Sequence, residues 1–299
     1  MAQSDNTTKA APEETAQSII IEPLFNYPVA PDNLTDLRQR TNYLMEHFWE
    51  GMNFKSKKAV DQNALNDAFS VYTSAIPYSD KAVVDLSVNS LLKNLSKNPV
   101  LLYQFTKAAE DNLYGDRAQV WIDEVYLKFL REISKNKKIS QSRKIRYADQ
   151  LKRLENSIVG SKIISFGIKG VDGAAKQWTP SAPLNIIEFG SPDCEDCRRA
   201  RILLDVNLPF LDLLEEGKLS MTFVVVEDDP DGLLMEATKN YSGSWQVGLN
   251  PEISEIIDLR SSPSFYIVDG EGKIIAKNLD VNSLLNFVKS EREKVTATN

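Results

Sequence analysis

From about residue 33 to residue 160, apolar positions recur every three to four residues, the period of a helix with one buried face. "NLTDLRQRTNYLMEHFWEGM" sets Leu37, Leu44 and Phe48 on one stripe, with Tyr43 and His47 beside it. In "SDKAVVDLSVNSLLKNL", Ser79 is the expected N-cap, and Val83, Val84, Leu86, Val88, Leu91 and Leu92 are the expected apolar face. "NPVLLYQFTKAAEDNLYG" opens on Asn98-Pro99, a cap followed by proline at the first helical position, and closes at Gly115. "QVWIDEVYLKFLREI" and "SQSRKIRYADQLKRLENSI" follow the same logic. The pattern predicts five or six helices in an irregular bundle, with Trp49 and Trp121 in its core.

Near Gly160 the texture changes. "KIISFGI", "LNIIEFG", "LSMTFVVVE", "SFYIVDG" and "KIIAKNL" are short, rich in Ile, Val and Phe, and punctuated by Gly, Pro, Asp or Asn. Helical stretches are predicted between them at Glu195 to Leu214, Gly232 to Asn240 and Pro251 to Leu259, and "VNSLLNFVKSEREK" predicts an amphipathic C-terminal helix. "VDGEGKI" is a hairpin turn. This alternation argues for an α/β domain. The expected boundaries are a disordered tail over 1–19, an all-α domain over 20–159 and an α/β domain over 160–299.

Composition narrows the picture only slightly. The 299 residues suit two domains, 42 % are hydrophobic and 26 % charged, and the formal net charge of -7 gives no basic surface for nucleic acid. No apolar run approaches the roughly 20 residues needed to cross a bilayer. The start, "MAQSDNTTKAAPEETAQ", has neither a basic nor an apolar segment and is not a signal peptide as it stands. It fits a cytoplasmic protein, or an exported one whose leader has been removed.

The chemistry concentrates in "LNIIEFGSPDCEDCRRARILL", which holds the chain's two cysteines, Cys194 and Cys197. Zinc wants four ligands, and the single histidine, His47, lies far off in the helical half, so no metal site is expected. An inert core pair is at odds with the polar flanks, and a disulfide closing so short a loop gains little chain entropy. The remaining reading is redox chemistry. A strand delivers the chain to a turn, Cys194 starts a helix and Cys197 lies one turn further in. Helix N-terminal amides favour a Cys194 thiolate, and Cys197 is within reach to resolve a mixed disulfide.

With these residues in place, 161–299 resembles the thioredoxin-like domain of bacterial TlpA/ResA-type thiol-disulfide oxidoreductases. The whole layout resembles a two-domain group of Bacteroides-type bacteria in which a helical domain of unknown function comes first. "EHFWEGMNF" and "YLKFLREI" are similar to segments of that helical domain, and "SWQVGLNPEISEIIDLRSSPSFYIVDGEGKIIAKNL" to the end of the thioredoxin-like part. The resemblance implies a thioredoxin-like fold, a central mixed sheet flanked by helices. It assigns Cys194 as exposed nucleophile and Cys197 as resolving thiol, and it makes Pro263 the cis-proline facing the pair. Ser262 is left free to pair with a substrate backbone, and Glu188 becomes a buried acid that helps deprotonate Cys197. It further implies a periplasmic protein, tethered to a membrane by its tail, with protein disulfides as substrates and an upstream thiol-disulfide reductant as partner. No cofactor is implied beyond the Cys194–Cys197 disulfide itself.

The sequence departs from thioredoxin around the pair. Asp193 replaces an aromatic, Glu195-Asp196 stands where Gly-Pro is usual, and no proline follows until Pro209. Three acids around Cys194 are expected to disfavour its thiolate against Arg198, Arg199 and Arg201, which leans toward a reductant. Trp245 is a candidate for the rim of the site, with packing as its default. "EDDPDG" lacks regular metal-ligand spacing and reads as a solvated turn. Two other functions remain open: a binding or scaffold module whose thioredoxin-like domain recognises partners, and a redox sensor.

Overall fold

A computed structural model of the chain describes residues 22–115 and 118–298. The tail expected over 1–19 lies outside the described residues.

The first half is helical, as its period predicts. Six helices follow one another: α1 (Leu37–His47), α2 (Gln62–Ser74), α3 (Lys81–Leu95), α4 (Pro99–Leu113), α5 (Asp123–Lys135) and α6 (Gln141–Glu155). Asp36, Asp61 and Asn98 cap three of them, each accepting from a backbone amide three residues on at 2.9–3.3 Å. Their buried faces form one core rich in aromatics, in which Trp49 meets Phe48, Phe105 and Tyr72 at centroid distances of 4.8–5.2 Å.

Several expectations are corrected here. Ser79 does not cap α3; Asp80 holds that position, and its carboxylate instead accepts from Asn42 of α1 at 2.7 Å. Leu37 and Leu86 face solvent, the latter 72 % exposed, and Met45 takes the core position of α1. Trp121 is not core: it is 39 % exposed and lies against the second half of the molecule.

The second half builds a seven-stranded mixed sheet in the order β2-β1-β5-β4-β3-β6-β7. The strands are β1 (Gly167–Lys169), β2 (Ala175–Gln177), β3 (Leu184–Gly190), β4 (Leu219–Val225), β5 (Trp245–Leu249), β6 (Ser264–Asp269) and β7 (Ile274–Leu279). Strands β3, β4 and β5 run parallel, while β6 and β7 add antiparallel on the far side of β3. Central β3 is buried on both faces, which accounts for its nearly continuous apolar run. Helices α7 (Glu195–Asp205), α8 (Leu208–Glu215), α9 (Leu233–Ala237) and α10 (Val281–Thr298) complete the layers. The expected single helix over 195–214 breaks at Val206, because Asn207 caps a new one by accepting from the Phe210 amide at 3.0 Å, with Pro209 in its first turn. The expected helix over 251–259 is only a short 3-10 turn, Ile253–Glu255. Within the acidic run, Asp229 accepts from the Leu234 and Met235 amides at 3.0 and 2.9 Å and so caps α9.

The two halves keep separate apolar cores; those of the sheet lie one on each face. Between the halves the bonds are polar. The Asp258 amide donates to Ser157 Oγ at 2.9 Å, Asn156 donates to the Ile256 carbonyl at 2.9 Å, and Arg153 to that of Ser254 at 3.4 Å.

Candidate active site

Strand β3 ends at Gly190 and the chain turns through Ser191-Pro192-Asp193, where the Cys194 amide bonds back to the Ser191 carbonyl at 3.1 Å. Cys194 is the N-cap of α7, in extended conformation, and its sulfur accepts from the Cys197 amide at 3.2 Å. A thiol thus stands where Ser or Asp usually caps a helix, with the end amides directed at it. Cys194 is half-buried and Cys197 fully buried one turn inside; both are thiols. Gly190 leaves room for the inner one, since a β-carbon there would fall 2.7 Å from Cys197 Sγ.

The segment before β6 closes the site. The Ser262–Pro263 bond is cis. Cys194 Sγ lies 3.5 Å from the Ser262 carbonyl oxygen, and Cys197 Sγ lies 3.4 Å from the Ser262 hydroxyl. Ser262, 68 residues from Cys194 in sequence, therefore touches both sulfurs.

Electrostatics separates the two thiols. Partial burial works against ionisation at Cys194, but hydrogen bonds from the Cys197 thiol, from Ser262 and from the Cys197 and Asp196 amides outweigh it and bring the thiol below its ordinary range. Burial pushes the Cys197 thiol up to about 12, and its bond to Cys194 adds to the rise. The expectation that Asp193, Glu195 and Asp196 would hold the Cys194 thiolate back is corrected: all three are exposed and none of their carboxylates is among the groups acting on the thiol, which lies below its ordinary range, so the acids lend no support to the reducing direction.

Glu188, on β3, is 1 % exposed, and neither carboxylate oxygen has a hydrogen-bond partner. Burial raises its carboxyl well above the usual range, a Cys194 charge raises it further, and Arg201 pulls it back. Arg201 lies 4.8 Å over the Tyr241 ring and bonds Asp205 at 3.4 Å. Sequence reasoning named Arg201 only for its charge and missed Tyr241, because Tyr241 comes 44 residues after Cys197 and no motif links them. Trp245, offered for the rim, is buried in the core against Phe210 and Tyr241, at 6.2 and 5.9 Å. It makes no polar contact with the cysteines; packing is its place.

The family model for a domain of unknown function, DUF5106, matches residues 2–157, just over half of the chain. The chain belongs to the DUF5106 family. Among proteins of curated function, none matches it. Among solved structures, a thioredoxin-like protein from Bacteroides caccae is similar over 90 % of this chain and 99 % of its own, at 17 % identity and TM-score 0.75. The thioredoxin domain of a thiol-disulfide oxidoreductase from Bacteroides vulgatus aligns with 44 % of this chain and 96 % of its own, at 18 % identity and TM-score 0.37. The first likeness shows the fold: a helical region followed by a thioredoxin-like sheet domain, in one arrangement.

Proposed function

We propose that the chain is a thiol-disulfide oxidoreductase of the TlpA/ResA type that acts on protein disulfides, its cycle taken in the reducing direction. The observation that carries this reading is the asymmetric thiol pair: Cys194 half-exposed, capped by helix amides and acidic, Cys197 buried and held protonated, both against Ser262. The Cys194 thiolate attacks one sulfur of a substrate disulfide, forming a mixed disulfide and releasing the other substrate sulfur as a thiolate. Cys197 then gives up its proton and attacks Cys194 Sγ. The Cys194–Cys197 bond forms, the mixed disulfide breaks, and the second substrate thiolate leaves. Two electrons have passed to the substrate. The Cys197 proton goes to Glu188, which takes this role in its ionised form and whose charge acts on that thiol, and from there to one of the departing thiolates. Burial suits Glu188 to this task by lifting its proton affinity toward that of a thiol.

Ser262 lies where a bound polypeptide would run past Cys194, and Pro263 brings no amide that would compete for its carbonyls. A separate thiol-disulfide reductant returns the pair to the dithiol. We place the protein in the periplasm, with the tail, residues 1–19, as the tether. Among the described residues, no helix is long and apolar enough to cross a membrane.

The test is a trap. Cys197→Ala should accumulate covalent, thiol-cleavable adducts on Cys194, while Cys194→Ala should accumulate none and should lose turnover of a reducible protein disulfide. Equal turnover in wild type and Cys194→Ala would overturn the proposal.

A further inference from the structure

The polar contacts between the two halves converge on one point. Asp258 is fully buried, and Arg260 and Lys277 each reach its Oδ2 at 2.7 Å. The same two cations reach Asp123, the first residue of α5: Lys277 at 2.8 Å, and Arg260 in a still closer contact. The Arg260 guanidinium also lies 4.3 Å over Tyr114 and 5.0 Å over Trp121, both from the helical half. Arg260 thus belongs to the sheet domain, while helical-domain groups meet its charge, shared with Asp258, and cover its face.

Arg260 is also two residues from Ser262. On the other side of the loop, Asn278 donates to Asp258 Oδ2 at 3.2 Å and accepts from Ser264 Oγ at 2.7 Å. The segment carrying Ser262 and Pro263 is therefore anchored at both ends to one cluster of four charges, one of which comes from the helical half. Such a buried cluster stabilises little for its desolvation cost, and its geometric role is the better-founded one.

On the reading that Cys194 and Cys197 are a redox pair, we infer that Asp123 of the helical domain is a positioning residue for that pair: through Arg260 it holds Ser262 and Pro263 against the two sulfurs. The domain of unknown function then acts as a brace for the loop that closes the active site, and the sheet domain on its own lacks one anchor of that loop.

The experiment uses the full chain with Asp123→Asn, which keeps the shape and removes the charge, and reads the pH titration of the Cys194 thiolate. The two effects of this change have opposite signs. Loss of a negative charge acting through space would make Cys194 more acidic. A loosened Ser262 loop would make it less acidic, because the hydrogen-bonding Ser262 side chain, which lowers both thiols, moves away while Cys197 and Glu188 stay in place. The inference predicts the second: a rise in proton affinity of roughly three- to tenfold, the worth of one such bond, with faster amide exchange across 260–264. Glu124→Gln is the control, since Glu124 pairs with exposed Lys81 and does not touch Arg260. It should leave the titration within about twofold.

Trp121→Ala removes the ring over Arg260 at the edge of an open cleft of about 560 Å³, a place that tolerates truncation. It should shift Cys194 in the same direction by less, and it decides the question if Asp123→Asn does not fold. An unchanged or more acidic Cys194 in the folded variants, with unchanged exchange, would overturn the inference while the pair still cycles. A wild-type pair that does not cycle would instead overturn the redox reading beneath it.

Discussion

At the scale of single residues, the account rests on how differently two thiols one helical turn apart are treated. Cys194 accepts from the Cys197 amide, lies against the Ser262 carbonyl and keeps solvent access, while Cys197 is buried against Gly190. Brief alkylation of the reduced protein at neutral pH should therefore label Cys194 at least about tenfold faster than Cys197, as read by peptide mapping, since the thiolate is the reacting form. Its rate should climb with pH and level off below the pH at which an ordinary cysteine does. Preferential labelling of Cys197 would reverse the assigned roles. Glu188 yields a stability prediction whose sign is fixed. Its folded-state proton affinity is raised, so the stabilisation that comes from keeping it protonated is complete below the ordinary glutamate range, near pH 4. That stabilisation is lost as pH rises through the elevated folded value, because the unfolded chain sheds the proton first. Urea unfolding at pH 5 and pH 8 should show Glu188→Gln gaining stability relative to wild type as pH increases. A constant difference would mean that Glu188 ionises normally in the folded protein.

At the scale of elements, the junction of β3 and α7 makes the site, and Gly190 sets its clearance. Gly190→Ala forces a β-carbon to 2.7 Å from Cys197 Sγ on a central strand that cannot give way. A loss of about 1–3 kcal/mol is expected by denaturant titration, together with a displaced Cys197 and slowed disulfide formation. Much at this scale was legible: β3, β4, β6 and β7 carry dense Ile, Val and Phe runs, and the hairpin turn between the last two is explicit. Strand β5 was not legible, because "WQVGL" is only partly apolar and its Gly248 serves a close approach to Ile168, where a β-carbon would meet that side chain at 2.7 Å. Strand β2 is exposed along its length and has no apolar pattern to read. The break between α7 and α8 was hidden because apolar residues continue across it, with Val206 and Leu208 both exposed.

At the scale of the whole molecule, the sequence separated a helical half from a sheet half because each has its own apolar period and its own core. It could not show how the halves meet, since that surface is made largely of polar and charged residues scattered from Tyr114 to Lys277, and such residues default to solvent. Trp121 was misplaced for the same reason: a large ring reads as core until its partner, Arg260, is known. Replacing Asp258 by Asn leaves Arg260 and Lys277 close together with one carboxylate fewer. It should cost about 3 kcal/mol or more, as when one partner of a buried pair is removed, measured by urea unfolding. The pH sign is opposite to that of Glu188. Asp258 is held below the usual carboxylate range, mainly by Lys277 and Arg260 against the cost of burial, so its contribution is present above the ordinary aspartate value and is lost as pH falls through the lower folded one. Wild type should lose stability in acid more steeply than the Asn variant. The central claim, that Cys194 and Cys197 form a reversible redox pair, is tested most directly by equilibrating the full chain with glutathione buffers of graded potential and weighing the alkylated products. The account predicts one two-electron transition, from two alkylated thiols to none, that runs back along the same curve on reduction. Two free thiols at every potential, or an irreversible loss, would contradict it.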